Sequence, residues 1–259
     1  MVTLDGKPVS VTDLLPLALT NVGHFTSMRV DTDGIRGLSL HMDRLVRDCR
    51  VVWGAELETE RVLNYVRGAL KDQARPCTVR VTIYDPKVDL GHPLAAHEPH
   101  ILVTVRGAGA LPPVPLRAKS VVYERDLPEV KHVGLFGALY ARGAAQHTDF
   151  DDALFVGRDG RVFEGGTWNV GFVDDQDTVV WPQAPVLPGV TMALLRQNAE
   201  HRVATVTLDQ AKGMAAAFAT NTSIGVRPLA AIDDTTFPVD HAALRHLQRT
   251  YRAIPGESL

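Results

Sequence analysis

A proline- and glycine-rich segment near the middle of the chain constrains the fold more than any other feature of the sequence. The segment GAGALPPVPLRAK (107–119) contains three prolines and two glycines, and regular structure is predicted on both sides of it. Because proline removes a backbone donor and glycine permits unusual dihedral angles, such a stretch is typical of an exposed linker. The sequence therefore predicts two domains, residues 1–110 and 120–259, joined by residues 111–119.

The hydrophobic pattern predicts strands and helices that alternate in both halves. Period-two alternation indicates strands, whereas apolar residues three and four apart indicate helices. In the first half we predict helices from Ser39, which would be the cap, and over 58–71, with strands at 25–30, 77–85 and 100–106. In the second half we predict helices over 134–146, after 187–191 and over 239–252, with strands at 120–124, 152–157, 179–182, 204–208 and 215–222. This interleaving indicates an α/β or α+β fold with two subdomains.

Composition excludes several classes of protein. The 27 basic and 30 acidic residues give a net charge of −3, which offers no basic surface for nucleic acid or an anionic membrane. No apolar run approaches the ~18 residues that a membrane helix needs, and the first residues lack the pattern of a signal peptide. The two cysteines, Cys49 and Cys77, cannot form a disulfide framework. We expect a cytoplasmic globular enzyme with no nucleic-acid or membrane partner.

Lys131 is the first candidate for chemistry. It lies in LPEVKHVGLFGALYA, where little charge follows Glu129. Apolar surroundings lower the pKa of a lysine and make the neutral amine available as a nucleophile, which Schiff-base chemistry requires. The simpler alternative is a lysine at a helix start whose ammonium group reaches water.

Glu164 is the second candidate, because it follows the turn RDGR and precedes Gly165 and Gly166. Glycine there lets a backbone or a flat ligand approach closely. A glutamate beside a pyridine nitrogen would keep that ring protonated. The alternative is a surface glutamate at the end of a strand.

The motif Leu187–Thr191 (LPGVT) is the third candidate. Proline and glycine force a turn before a predicted helix, and the unpaired N–H groups of a helix N-terminus suit a phosphate. The cluster Thr220–Ser223 would supply hydroxyl donors for the same anion. An ordinary strand-to-helix connection and simple turn chemistry are the alternatives.

In this order and spacing, these features resemble the class IV, or fold-type IV, pyridoxal-phosphate enzymes. That family includes branched-chain aminotransferases, D-amino-acid aminotransferases and aminodeoxychorismate lyase. The resemblance spans residues 23–229 and is carried by GHFTSMRV, LHMDRL, VRVTI, VKH, DDALFVGRDGRVFEGGTWNVGFV, LPGVT and ATNTSIGVRPL. It implies a small N-terminal α/β domain, a larger C-terminal pseudo-barrel domain that binds pyridoxal 5′-phosphate, and a homodimer.

The resemblance also implies roles for individual residues. Lys131 matches the lysine that forms the Schiff base and later moves the α-proton, and Glu164 matches the partner of the pyridine nitrogen. The positions that match the phosphate-binding groups are Arg44, the backbone N–H groups of Val190 and Thr191, and the hydroxyl of Thr222. Arg80 and Phe25 are candidate substrate contacts, and Arg80 can equally be a solvated strand residue.

Three positions depart from the branched-chain pattern. Phe136 lies near the place of a tyrosine that approaches the cofactor, and it cannot donate a hydrogen bond. Met192 follows LPGVT where many relatives have arginine, and Trp168 replaces a small residue before Asn169. These differences argue against branched-chain specificity and leave the cofactor chemistry intact.

The sequence therefore predicts a transaminase that transfers an amino group from an amino acid or amine to a 2-oxo acid. The alternative is a lyase of the aminodeoxychorismate type that releases pyruvate, which FTSMRV and the pair Lys131–His132 favour. A third hypothesis, a silent relative that only binds a ligand, is disfavoured because the lysine, the glutamate and the phosphate-binding residues are all present.

Two other patterns do not indicate a site. His92, His97 and His100 lie in a proline-containing loop with no matching cluster elsewhere, so we expect no metal. Gly107 and Gly109 lack the third glycine and the helix of a dinucleotide-binding fingerprint.

Overall fold

The computed structural model describes residues 1–93 and 98–259, which form two compact units. The first unit contains Met1–Gly109, Val130–Gly134 and Pro255–Leu259, and the second contains Ala110–Glu129 and Leu135–Ile254. The predicted domain limits differ from these units in two ways. First, Val130–Gly134 and Pro255–Leu259 belong to the first unit although they lie within the predicted second domain. Second, a strand begins at Leu116, inside the predicted linker.

In the first unit an antiparallel sheet is covered by helices. Its elements are β1 (Val2–Leu4), β2 (Lys7–Pro8), α1 (Val11–Thr20), β3 (His24–Val30), α2 (Leu38–Trp53), α3 (Thr59–Leu70), β4 (Cys77–Tyr84) and β5 (His100–Gly107). Within the described residues the sheet has five strands in the order β2-β1-β5-β4-β3. The apolar residues of α2 and α3, such as Leu45, Cys49 and Val62, form one core with Met28 and Val79 of the sheet.

Strand β4 differs from the predicted half-buried strand. Seven of its eight residues are buried, and Arg80 is the exception. Thr78 and Thr82, which the alternation assigned to a solvated face, are 3% and 2% exposed. The strand lies between β3 and β5, so that its backbone donors and acceptors are paired on both sides.

The predicted cap of α2 is wrong. The N-cap is Gly37, whose left-handed φ of 70° favours glycine, and Ser39 lies inside the helix. The backbone N–H of Ser39 donates to the Glu257 carboxylate at 3.0 Å. A carboxylate stabilises a helix N-terminus, and here it comes from the far end of the chain.

The second unit is built around a closed sheet. Its elements are β6 (Leu116–Val122), α4 (Phe136–Gln146), β7 (Asp152–Val156), β8 (Val162–Gly165), β9 (Asn169–Val173), β10 (Val179–Pro182), α5 (Val190–Asn198), β11 (His201–Ala204), α6 (Leu208–Lys212), β12 (Ala216–Asn221), β13 (Gly225–Ile232), β14 (Thr235–Thr236) and α7 (Ala242–Ala253). The ring runs β9-β12-β13-β6-β7-β8 and returns to β9, and β10, β11 and β14 extend from it. The pairing of Glu164 with Asn169 closes the ring. The predicted barrel and the α/β class are confirmed.

Most predicted elements are present, and the strand predicted at 204–208 is displaced. Strand β11 ends at Ala204, and α6 begins at Leu208 because Thr207 and Gln210 form a capping box. The predictions assigned no separate strand or helix to β1, β2, α1, β8, β9, α6, β13 and β14. Within the described part of the chain, no helix has both the length and the apolar character to cross a membrane.

We expect the buried His24 to destabilise the protein at acidic pH. His24 has no exposed surface, and burial, together with the charge of Arg47, lowers its pKa to about 3. The unfolded chain, with a histidine pKa near its ordinary ~6.5, binds more protons as the pH falls below that value. The resulting loss of unfolding free energy from this residue is about 2 kcal/mol between pH 7 and pH 5.

Urea unfolding of wild type and His24→Leu at pH 7 and pH 5 tests this expectation. The variant is expected to lose about 2 kcal/mol less than wild type over that interval. His147→Leu, which changes an exposed histidine, is the matched control. The same pH dependence in all three proteins would contradict the assignment.

Candidate active site

Lys131 lies in the first unit and is held through its backbone. Its carbonyl accepts a hydrogen bond from the N–H of Phe25 at 2.8 Å, and Val133 donates to the carbonyl of Gly23 at 2.9 Å. The Lys131 Nζ lies 4.8 Å from the centroid of the Phe25 ring. The side chain is half-buried, and the chain around it adds to the start of β3 through a bridge between His24 and His132.

Arg44 is a buried cation in the same unit. It is 6% exposed, and its Nη2 donates to Thr26 Oγ1 at 2.5 Å. Burial lowers the pKa of Arg44 to about 10, so the guanidinium remains charged at neutral pH. Within the described residues its Nε has no hydrogen-bond partner. A buried donor without a partner is rare in folded proteins and is consistent with an anion site.

His41 supports Arg44 as a neutral acceptor. Burial, and then the charges of Arg44 and Lys131, lower the pKa of His41 well below its usual value. Its Nδ1 lies 2.7 Å from Thr26 Oγ1 and 3.2 Å from Arg44 Nη2. Because arginine can only donate, Thr26 accepts from Arg44 and donates to His41. Sequence reasoning did not identify His41, although it lies one helical turn before Arg44.

Arg80 stacks on Phe25. Its Cζ lies 3.6 Å from the centroid of the Phe25 ring, and its Nε donates to Thr82 at 3.2 Å. Burial, and then the charge of Arg106, lower the pKa of Arg80. No carboxylate of the described residues lies within salt-bridge distance of Arg80. The structure thus places both Lys131 and Arg80 against Phe25, and among the described residues the Arg80 guanidinium has no carboxylate as counter-ion.

Glu164 lies in the second unit and is buried, unlike the surface glutamate of the alternative interpretation. It is 5% exposed at β8 and pairs with Arg125 at 2.9 Å. Its other oxygen accepts from the backbone N–H of Leu187 at 3.2 Å and from Asn169 Nδ2 at 3.4 Å. Arg125 and Asn169 were not predicted. A buried carboxylate requires such partners, but no sequence pattern identifies which residues supply them.

The N-terminus of α5 has the form expected of an anion site. Val190 and Thr191 are its first residues, and Gly189 caps it without a side-chain hydrogen bond. The hydroxyls of Thr191 and Thr220 are buried and, within the part of the chain that the structure describes, have no partner. Thr222, the predicted hydroxyl donor, is half-buried. Thr220, which belongs to the predicted cluster Thr220–Ser223, is therefore a candidate donor beside Thr222.

The three departures from the branched-chain pattern have different surroundings. Trp168 is 5% exposed, belongs to the core of the second unit and donates to Asp152 at 2.9 Å. A Cβ on Gly165 would lie 1.9 Å from the Trp168 indole, so this ring is a close neighbour of that glycine. Phe136 is 78% exposed and stacks on Tyr140, whereas Met192 is a core residue.

The histidines that the sequence analysis did not assign to a metal site are His92, His97 and His100. No group of three or more potential ligands occurs within residues 1–93 and 98–259. His100 instead contacts Asp5 at 2.6 Å, and His92 contacts Asp89. His97 lies outside the described residues.

Comparison with known proteins identifies one family. A family model described as amino-transferase class IV matches residues 23–232. No curated protein sequence matches the chain. The fold is similar to several solved structures, each at low sequence identity, and these likenesses establish the fold.

Three of these solved structures differ in organism and in the activity that their names give. A hypothetical aminotransferase from Mycobacterium tuberculosis in a PLP-bound form has 16% identity and a TM-score of 0.84, with 98% of each chain covered. A branched-chain aminotransferase from Thermoproteus uzoniensis with norvaline has 20% identity and a TM-score of 0.84, covering 97% of this chain and 93% of that one. A putative 4-amino-4-deoxychorismate lyase from Legionella pneumophila has 21% identity and a TM-score of 0.80, covering 93% and 92%.

We expect Gly189→Ala to destabilise the second unit through Asn169 alone. The φ and ψ of Gly189, −69° and 140°, are accessible to alanine. Its new Cβ would lie 2.0 Å from Asn169 Oδ1, and Asn169 is held by hydrogen bonds to Leu187 and Glu164. Displacing this buried amide is expected to lower the unfolding free energy by roughly 1–3 kcal/mol.

Chemical unfolding of a double-mutant cycle with Asn169→Ala measures the effect. The cost of Gly189→Ala is expected to fall close to zero in the Asn169→Ala background, because the collision is then absent. Gly143→Ala, where nothing lies within 4 Å of the new Cβ, is the control. An equal cost of Gly189→Ala in both backgrounds would refute this explanation.

Proposed function

We propose that this chain, which belongs to the amino-transferase class IV family, transfers an amino group from an amino acid or amine to a 2-oxo acid through a Schiff base between Lys131 and pyridoxal 5′-phosphate. The observation that carries the proposal is the setting of Lys131, whose amine lies 4.8 Å from the centroid of the Phe25 ring, the same ring that the guanidinium of Arg80 contacts at 3.6 Å. The primary amine of a lysine is the group that condenses with a cofactor aldehyde to form a Schiff base. The homodimer and the cytoplasmic location remain predictions.

The chemistry of the described residues fits the cofactor. Each unit has buried donors that lack a partner in the described part of the chain. They are Arg44 Nε in the first unit and the hydroxyls of Thr191 and Thr220 in the second. The backbone N–H groups of Val190 and Thr191 have no acceptor within α5, because the first N–H groups of a helix lack one. Glu164 supplies the carboxylate that a pyridine nitrogen requires. As the resemblance implies, we propose that Glu164 is the partner of the pyridine nitrogen. We also propose that Arg44, Val190, Thr191 and Thr222 bind the phosphate.

When bound, the cofactor supplies an electron-poor ring that stabilises negative charge on the α-carbon of the amino substrate. Lys131 Nζ would accept the proton from that carbon as a general base and would then donate it, as a general acid, to the cofactor carbon that keeps the amino group. Arg125 forms an ion pair with Glu164 at 2.9 Å. Arg80 binds the carboxylate of the amino donor or the 2-oxo acid, because a half-buried guanidinium is well suited to carboxylate geometry.

Lys131→Ala is expected to abolish turnover, because no other group is proposed to replace its amine. Wild type is expected to release 2-oxo acid from a donor only when a second 2-oxo acid is present as acceptor. Product formation is measured by chromatography with and without the acceptor, for L- and D-amino acids. Transamination by Lys131→Ala would refute the assignment.

The same measurement tests the lyase alternative, which FTSMRV and the pair Lys131–His132 favour. A lyase eliminates a group from its substrate and needs no amino acceptor. Pyruvate released by wild type from 4-amino-4-deoxychorismate in the absence of acceptor would establish that alternative. Strict dependence on a 2-oxo acid would establish the transaminase.

We expect Arg80→Gln to raise the KM of carboxylate substrates by about 10- to 100-fold, since a charge-assisted hydrogen bond contributes roughly 1.5–3 kcal/mol. The KM of an amine that lacks the carboxylate is expected to change by less than about twofold. Steady-state kinetics with each amino acid and its decarboxylated amine measure the difference. Arg106→Gln, which alters an exposed neighbour, is the control. Equal increases for both substrates would argue against the role.

A further inference from the structure

Both peptide groups of Lys131 are fixed by hydrogen bonds, and one of the partners is a side chain. The backbone N–H of Lys131 donates to Asp48 Oδ2 at 2.9 Å, while its carbonyl accepts from the N–H of Phe25 at 2.8 Å. Asp48 lies 83 residues earlier in the chain, on α2. The lysine segment is therefore held between a helix and the start of β3.

Asp48 is itself immobilised. It has no exposed surface, and its second oxygen accepts from Arg47 Nε at 3.0 Å and Nη2 at 2.6 Å. With one oxygen bound to Arg47 and the other to Lys131, the carboxylate cannot rotate without breaking a charge-assisted hydrogen bond. Asp48 also follows Arg44 by one helical turn, so the two side chains lie on the same face of α2.

We propose that Asp48 is a positioning residue that sets the location of the Lys131 amine. The inference rests on the proposed function, in which Lys131 binds pyridoxal 5′-phosphate. A displacement of the reacting atom by about 1 Å can lower a rate by roughly 100-fold. A buried N–H without an acceptor is unfavourable, so loss of the carboxylate drives the Lys131 segment toward another acceptor.

A purely structural role makes a different prediction. If Asp48 only neutralised Arg47 or filled space in the core, its replacement would lower the folded fraction and leave the behaviour of each folded molecule unchanged. Positioning predicts instead a slower reaction of the Lys131 amine in molecules that are folded. The two explanations are separated by the rate of that reaction.

The experiment mixes apoprotein with pyridoxal 5′-phosphate and follows the visible absorbance of the lysine adduct. Borohydride reduction and peptide mass mapping then identify Lys131 as the labelled residue. Asp48→Asn keeps an oxygen acceptor for the Lys131 N–H, whereas Asp48→Leu removes it at similar volume. Asp43→Asn, an exposed carboxylate on the same helix, is the matched control. Circular dichroism and thermal unfolding give the folded fraction of each protein.

We expect the rate constant for adduct formation, at saturating cofactor and per folded molecule, to fall at least tenfold in Asp48→Leu. It is expected to stay within about threefold of wild type in Asp48→Asn and Asp43→Asn. The kcat of transamination should fall in parallel in Asp48→Leu, with KM changed by less than about twofold. A wild-type rate in Asp48→Leu, or an Asp48→Asn variant as slow as Asp48→Leu, would overturn the proposal.

If Asp48→Leu does not fold, Asp48→Glu takes its place in the rate measurement. It keeps the charge but moves the carboxylate by one methylene, so we expect a rate at least fivefold lower, and a wild-type rate would overturn the proposal. Failure of the proposed function is distinct from these outcomes. In that case wild type itself would form no adduct at Lys131.

Discussion

The pairing of Glu164 with Asn169 is the interaction on which the second unit depends. It joins β8 to β9 and thereby closes the ring of strands. Closure pairs the edge of β8 with β9 and leaves Glu164 only 5% exposed, so that its charge requires partners within the protein. Arg125, the N–H of Leu187 and the amide of Asn169 meet this requirement. The same amide lies against Gly189 and so connects the carboxylate to the start of α5.

In the first unit, the buried charge that requires partners is a cation, Arg44. Arg44 is buried, and the group that faces it, His41, is kept neutral by burial and by neighbouring positive charge. A protonated His41 would repel Arg44, whereas the neutral ring accepts hydrogen bonds. Asp48, one turn along α2, contributes a negative charge that raises the pKa of Arg44 against the effect of burial. The helix thus carries a charged donor, its neutral support and the carboxylate that holds Lys131.

Local patterns account for what the sequence predicted well. The alternation in 25–30 and 77–85 and the helical spacing after Ser39 and Glu58 identify β3, β4, α2 and α3, because each signal lies within one segment. The turn LPGVT likewise predicts where α5 begins. Features that depend on distant residues were missed. Glu257, for example, caps α2 from the other end of the chain. The helix that begins after Thr207 was missed although its capping box with Gln210 is a local signal.

The sequence by itself determined the family, the alternation of strands and helices, and the identity of the lysine, glutamate and arginine candidates. These properties reside in residue types and in their order along the chain. Only the tertiary structure decided which candidates are buried, which have partners, and that Trp168 fills the core beside Gly165. It also revealed Arg125, Asn169, His41 and Asp48. The reason is physical: burial and pairing are set by groups tens of residues apart, and a hydrogen bond such as that of Asp48 to Lys131 exists only once the chain has folded.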